Sequence, residues 1–245
     1  MSALTNDKPF VIFVRKLMVN LSPSLGPALS RSLIRLGYTV KLLQWIKNNP
    51  CVEFNGNGSY SNRDLFAHVL ARHDISGPID YLEFGVAAGS SLAWWVANNR
   101  HADSRFYGFD TFTGLPEDWY YAPKGSYSTQ GKLPDISDAR CTFEVGLFQD
   151  TLGAFLEKNL LTRRKVIHID SDLYSSSLYT LTTLAALLQP GDIVFFDDFG
   201  GLKNPVDDFR SLHDFAAAFR VAYSLIGAAD YHRKIAIKIT GKVLD

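Results

Sequence analysis

The spacing of apolar residues along this chain changes character near residue 79. From there on, short β-rich runs alternate with stretches of helical periodicity, the pattern of a parallel sheet flanked by helices. The runs are Ile79–Phe84, Arg105–Phe109, Cys141–Val145, Lys165–Ile169, Asp192–Phe196, Ala222–Ile226 and Ile235–Ile239. Val166-Ile167-His168-Ile169 and Ile193-Val194-Phe195-Phe196 show no polar face, as strands covered on both sides must, so these two are expected at the centre. Between them Leu178, Leu181, Leu184, Leu187 and Leu188 recur at helical spacing, and Gln189-Pro190-Gly191 stops the helix, which completes one βαβ unit. The expected fold class is α/β, a doubly wound, seven-stranded, mostly parallel sheet.

Ahead of the first run the period is helical. Leu17 to Leu43 carries it, with Pro23 and Pro27 expected to interrupt it, and Ser61-Asn62-Arg63-Asp64 reads as a helix start. The chain therefore divides into an N-terminal helical cap over residues 1–75 and a core over 76–245. Within the core, residues 114–138 are rich in Gly, Pro, Ser and Tyr and show no period, which marks a lid or substrate loop.

Composition narrows the partners. With 245 residues, 47% of them hydrophobic, the chain can bury one sizeable core. Lys+Arg and Asp+Glu balance at 25 each, so no overall field draws it to nucleic acid or anionic lipid, and a small-molecule partner is expected. Cys51 and Cys141 lack metal-ligand spacing, which fits a reducing cytoplasm. The apolar run Phe10–Val14 is too short to span a bilayer and is followed by Arg15 and Lys16. An apolar cap would support self-association into a homo-oligomer.

The first core strand runs directly into Glu83-Phe84-Gly85-Val86-Ala87-Ala88-Gly89-Ser90-Ser91, and a helical run through Trp94 and Trp95 follows. In a doubly wound sheet this is where a ligand crevice opens, and glycines let backbone and a helix N-terminus approach it. The spacing is not the dinucleotide GxGxxG, and a carboxylate at Glu83 biases the crevice toward a ligand bearing an ammonium or sulfonium. A merely tight strand-to-helix turn would read the same way. The second strand ends at Asp110, 27 positions after Glu83, followed by Thr111-Phe112. That carboxylate can accept both hydroxyls of a ribose, or it can serve as a turn or cap aspartate. After the third strand, Asp150 or Thr151 is expected to cap the next helix, while Gln149 could meet an adenine edge and Phe148 its face, unless both are ordinary core and surface residues.

Carboxylates then gather at one edge. The fourth strand ends His168-Ile169-Asp170-Ser171-Asp172 and the fifth ends Phe195-Phe196-Asp197-Asp198. If the two strands are neighbours, their ends lie about 5 Å apart, and Asp170, Asp197 and Asp198 can share one ion. A hard divalent cation, Mg²⁺ foremost, relieves the repulsion of uncompensated carboxylates. Otherwise each aspartate caps the element that follows it. Such an ion would lower the pKa of an acceptor hydroxyl and align it with an electrophilic methyl group. His168 reads as a core histidine, and His213 and His232 carry no motif.

These residues together give the chain its resemblance to the macrocin O-methyltransferase family, enzymes that methylate sugar hydroxyls of natural products, and more distantly to catechol O-methyltransferase. The resemblance runs from about Ile79 to the end and rests on YLEFGVAAGSS, FYGFDTFTGLPEDW, HIDSDLYSS and LQPGDIVFFDDF. It implies a Rossmann-like class I fold, S-adenosylmethionine as cofactor and Mg²⁺ as metal. It implies further that Glu83, Gly85 and Ser91, with Val86, Ala87, Gly89 and Ser90 of the same turn, surround the methionine part. Asp110, with Thr111 and Phe112, would take the ribose, and Phe148 and Gln149 would border the adenine. Asp170, Asp197 and Asp198 would ligate the metal, with Asp170 also facing the cofactor and helping to remove the acceptor proton. Catechol-type enzymes place a lysine three positions after the first metal aspartate, and this chain has Leu173 there. Three rivals follow from the same residues. They are a glycosyltransferase using Asp170-Ser171-Asp172 as a DxD, a nicotinamide-dependent reductase, and a non-catalytic cofactor-binding protein.

Overall fold

All seven runs form strands, and an eighth joins them. The computed structural model describes residues 9–54, 61–200 and 206–241. In chain order the elements are α1 (Pro9–Asn48), β1 (Glu53–Phe54), α2 (Ser61–Arg72), β2 (Ile79–Phe84), α3 (Ser90–Asn98), β3 (Arg105–Asp110), β4 (Cys141–Val145) and α4 (Phe148–Lys158). There follow β5 (Arg164–Ile169), α5 (Tyr174–Leu184), β6 (Ile193–Phe196), α6 (Asp207–Phe219), β7 (Tyr223–Ala229) and β8 (Lys234–Ile239). The sheet order is β1-β7-β8-β6-β5-β2-β3-β4. The extra strand, β1, is a two-residue edge paired parallel with β7, and two residues are too few to show a period of two.

Every pairing is parallel except those of β8, which runs antiparallel to both β6 and β7. The cause lies in the connection. Only residues 230–233 join β7 to β8, three of them with positive φ (Asp230, Tyr231, His232), so the chain must turn back as a hairpin. This reversal delivers the first residues of β8 to the C-terminal end of β6, because Phe196 pairs with Ile235.

β5 and β6 are central and buried, as their doubly apolar pattern requires. Alternate side chains of each strand enter two cores. Leu82, Phe84, Val194 and Phe196 meet α4, α5 and α6 on one side. Ile79, Tyr81, Ile193 and Phe195 meet Phe66 of α2 and Trp95 of α3 on the other. The expected interruption at Pro23 and Pro27 does not occur, since α1 runs unbroken from Pro9 to Asn48. The two prolines are one helical turn apart, so the hydrogen bonds they remove lie on one side of the helix, which can bend without ending. The last turns of α1 pack Tyr38, Leu42, Trp45 and Ile46 against the α6 side of the sheet. Residues 1–8 and 55–60 of the expected cap lie outside the described residues. No described helix is long and apolar enough to cross a membrane.

The strand order reverses between β2 and β5, and there the two chains leave the sheet in close contact. Asp170 N–H donates to Phe84 O at 2.9 Å, and Gly85, at φ 93°, lies so close to the Asp170 carbonyl that a Cβ would overlap it. Gly85→Ala is therefore expected to cost about 3 kcal/mol, through a left-handed φ and a backbone clash together, measured as a drop in the urea midpoint at unchanged slope. A midpoint equal to that of the parent would contradict this contact.

Candidate functional site

The C-terminal ends of β3, β2, β5 and β6 lie side by side, and a cleft of about 310 Å³ opens beyond them. One wall is the turn after β2. Asp110 organises it: its Oδ2 accepts the backbone N–H groups of Val86 and Ala87 at 2.7 and 2.8 Å, and its Oδ1 accepts that of Phe112 at 2.7 Å. Three donors thus fix one carboxylate at the cleft edge. Phe148 and Gln149, in the first turn of α4, form the adjoining wall with Leu147. The expected cap at Asp150 or Thr151 is not found. The N-cap is Leu147, and the Thr151 hydroxyl donates back to the Leu147 carbonyl at 3.0 Å, because the helix starts three residues earlier than the polar cluster suggested.

The other wall is the carboxylate edge. β5 and β6 are neighbours in register, Ile169 opposite Phe196, so Asp170 and Asp197 follow at matching heights. Among the described residues two trios have ligand atoms mutually within 4.8 Å: His168, Asp170 and Asp197, and Asp170, Asp172 and Asp198. Asp170 is common to both, whereas Asp197 and Asp198 fall into different trios. Burial, and then the Asp197 charge, push the Asp170 carboxyl well above the usual range. Burial, and then the Asp198 charge, push Asp172 up to about 8. Asp197 goes the other way: burial would raise it, but the Lys234 ammonium, His168 and the Asn62 amide together hold it below its ordinary value.

The carboxylates are not uncompensated. Lys234 Nζ lies 2.5 Å from Asp197 Oδ1, and Arg233 Nε donates to Asp198 Oδ1 at 2.7 Å. Asn62 Nδ2, from α2, donates to Asp197 Oδ1 at 2.6 Å. Beneath the cleft floor the Tyr81 hydroxyl donates to Glu83 Oε2 at 2.5 Å, and His168 Nδ1 lies 3.3 Å from the same hydroxyl oxygen. Having given its one proton to Glu83, Tyr81 can only accept from His168, which fixes Nδ1 as the protonated nitrogen. His168 is thus a buried, partnered histidine, as its place in an apolar run suggested.

Of the residues singled out in the sequence, Gly85, Ala87, Asp110, Thr111, Phe148, Gln149, Asp170, Asp197 and Asp198 line this one cleft. Glu83, Val86 and Phe112 are buried beside it. Gly89, the N-cap of α3, lies against Pro134 of the long loop, and Gly89, Ser90 and Ser91 are not among the residues that line the cleft. His213 pairs with Asp214, and His232 with Glu53, away from the cleft. Leu173, where a lysine might have stood, is buried with Trp119 and Ala122 of the loop. Arg233, Lys234, Asn62 and Tyr127 were not expected here, and Asp172, expected only as half of a DxD pair, joins Asp170 and Asp198. The adjacent basic pair just before the last strand was the one available signal, and it becomes meaningful only once β8 is known to be antiparallel. Ala87, Tyr127 and Asp172 line the cleft with left-handed φ of 45°, 63° and 62°.

Residues 82–199 match the model of a methyltransferase domain, a span running from β2 through the glycine turn and Asp110 to the ends of β5 and β6. A curated relative, 8-demethyl-8-(2,3-dimethoxy-alpha-L-rhamnosyl)-tetracenomycin-C 4'-O-methyltransferase of Streptomyces olivaceus, is 28% identical over 158 residues, 54% of this chain. The chain spans 58% of that relative's length. Among solved structures, the calicheamicin methyltransferase CalS11 superposes with TM-score 0.55 at 19% identity, covering 96% of this chain and 94% of its own. The O-methyltransferase NovP gives 0.53 at 22%, covering 73% and 78%, and CmcI in its Mg-SAM form gives 0.51 at 16%, covering 75% and 72%. These three share the fold. The family resemblance read from the sequence is thus upheld for residues 82–199.

The raised Asp172 carboxyl sets a pH dependence. A folded-state value of about 8 against an ordinary 3.8 means that its stabilising contribution is full at low pH and is lost as pH rises toward 8. In chelator, the thermal midpoint of Asp172→Asn is therefore expected to fall less than that of the parent between about pH 5.5 and about pH 8. Parallel profiles for the two proteins would contradict the assignment.

Proposed function

We propose that the methyltransferase domain of residues 82–199 transfers a methyl group from S-adenosylmethionine to a hydroxyl of a small molecule, a sugar or another natural product, in a divalent-metal-dependent reaction. One observation carries this reading. A single cleft holds the Gly85, Asp110 and Gln149 end on one side and the Asp170 and Asp198 end on the other, within the span matched by the methyltransferase model. The tetracenomycin relative is named for methylation at the 4'-oxygen of a rhamnosyl unit, which supports a sugar hydroxyl as acceptor.

The residues present fit a hard divalent ion, because the cleft-facing donors are carboxylate oxygens and Asp170, Asp172 and Asp198 have ligand atoms within 4.8 Å of one another. Asp170, Asp172 and Asp198 would hold it, while Asp197, the third ligand expected from the sequence, is grouped with His168 and paired with Lys234 beside them. When bound, such an ion lowers the pKa of an acceptor hydroxyl and fixes its direction. The protein's own groups do the rest. Asp110 holds the Val86-Ala87 backbone in a fixed turn and keeps its remaining acceptor capacity for ribose hydroxyls. Gln149 offers a donor and an acceptor to the adenine edge. Asp170, the only carboxylate common to both trios, is placed to receive the acceptor's hydroxyl proton, since Leu173 offers no base. The loop residues Gly114, Leu115, Pro116 and Tyr127 line the cleft on the side of the long loop.

Calorimetric titration with S-adenosylhomocysteine, a UDP-sugar and NAD in chelator separates this reading from its rivals. Binding of S-adenosylhomocysteine alone is the expected result, and binding of the UDP-sugar alone would overturn it. Asp198→Ala is expected to lower turnover by about a hundredfold or more while cofactor affinity stays within about twofold. Asp110→Asn should do the reverse, weakening the cofactor by about tenfold, because the amide replaces one of the two accepting oxygens with an NH2 donor. Asp197→Ala is the poorer probe, since it leaves a buried ammonium without its partner.

A further inference from the structure

Arg233 and Lys234 are consecutive, they reach consecutive carboxylates, and they do so at very different depths. Lys234 and Asp197 are 10% and 11% exposed at their side chains. Around Asp197 stand the Lys234 ammonium from β8, the Asn62 amide from α2 and His168 Nε2 from β5 at 3.9 Å. That carboxylate has its charge answered inside the protein by groups with little access to water. Arg233 is 42% exposed, lines the cleft, and gives Asp198 a single Nε–H bond at 2.7 Å. Its guanidinium can leave Asp198 for solvent by side-chain rotation alone, with its backbone still held by the bond from Phe199 N–H to the Arg233 carbonyl.

We propose that Arg233 is an exchangeable counter-cation of the carboxylate edge: it holds Asp198 while no divalent ion is present and is displaced when one enters, whereas Lys234 remains on Asp197 as a permanent counter-charge. The proposal rests on the metal reading above and deepens it. A guanidinium bonded to Asp198 Oδ1 and a divalent ion ligated by the same oxygen exclude each other, both by space and by like charge. An ion that takes this oxygen therefore breaks the Arg233–Asp198 pair, and its affinity is lowered by whatever that pair contributes. The Lys234–Asp197 pair is too deep to exchange in this way, because separating it would bury an unanswered charge. The ion is thus held less tightly than the carboxylate count suggests, and its arrival leaves a free guanidinium at the cleft rim, where an acceptor oxygen can meet it.

The test is a Mn²⁺ titration of the full chain, followed by the electron paramagnetic resonance signal of free Mn²⁺, with neither cofactor nor acceptor present. Arg233→Gln is expected to bind Mn²⁺ about fivefold more tightly than the parent, the upper end of what a half-exposed ion pair contributes. Arg233→Lys, which restores the charge, should return toward the parent value. Unchanged or weaker binding by Arg233→Gln overturns the proposal, as does a lysine variant that binds as tightly as the glutamine one. Should the parent itself fail to bind Mn²⁺ at millimolar concentration, it is the metal reading that falls. Thermal midpoints of the variants in chelator show that each is folded before titration.

Discussion

Like charges held together in a poorly solvated place must be answered, and in this protein that requirement shapes everything near the cleft. The parallel register that sets Ile169 opposite Phe196 leaves the next residues of both strands, all aspartates but one, facing a single edge. Burial alone would neutralise them by protonation, and Asp170 and Asp172 do move that way. Asp197 does not, because Lys234, Asn62 and His168 converge on it. The hairpin between β7 and β8 is what brings the basic pair there, so the one reversal in a parallel sheet serves the chemistry of its edge.

The same geometry explains why the cleft stands at the junction of β2 and β5. Strand order reverses at that point, the chains diverge, and Gly85 permits β2 to leave along the Asp170 carbonyl. Asp110 then ties the turn after β2 to the end of β3 through three backbone N–H groups. A methyl donor at this turn and a hydroxyl at the carboxylate edge would meet across a short gap. That is the arrangement an in-line transfer needs.

Much of this was legible in the sequence. Period and β-propensity located all seven longer strands, and the doubly apolar runs marked β5 and β6 as central, because burial on both faces leaves a direct trace in side-chain type. The strand-end residues Gly85, Asp110, Asp170, Asp197 and Asp198 could be placed together because a doubly wound sheet aligns the ends of its strands. The rest depended on contacts distant along the chain. Nothing local marks Asn62, Arg233 or Lys234 as partners of Asp197 and Asp198, since α2 and β8 reach that edge only through tertiary packing. The covering of Gly89 by Pro134 is a property of a loop without a period, and a two-residue edge strand has no period to read. Pro23 and Pro27 look like a break by local propensity, yet prolines one turn apart remove hydrogen bonds on one side only, and α1 runs through both.

The central claim is that one cleft joins an adenosyl cofactor to a carboxylate-bound divalent ion. It is tested most directly by crystals grown with S-adenosylhomocysteine and Mn²⁺, with data collected at the manganese edge. The account predicts an anomalous peak about 2.1 Å from carboxylate oxygens of Asp170 and Asp198, with the ribose at Asp110 and the adenine against Gln149. A peak elsewhere, or a cofactor lying outside the cleft between Gly85 and Asp198, would contradict it.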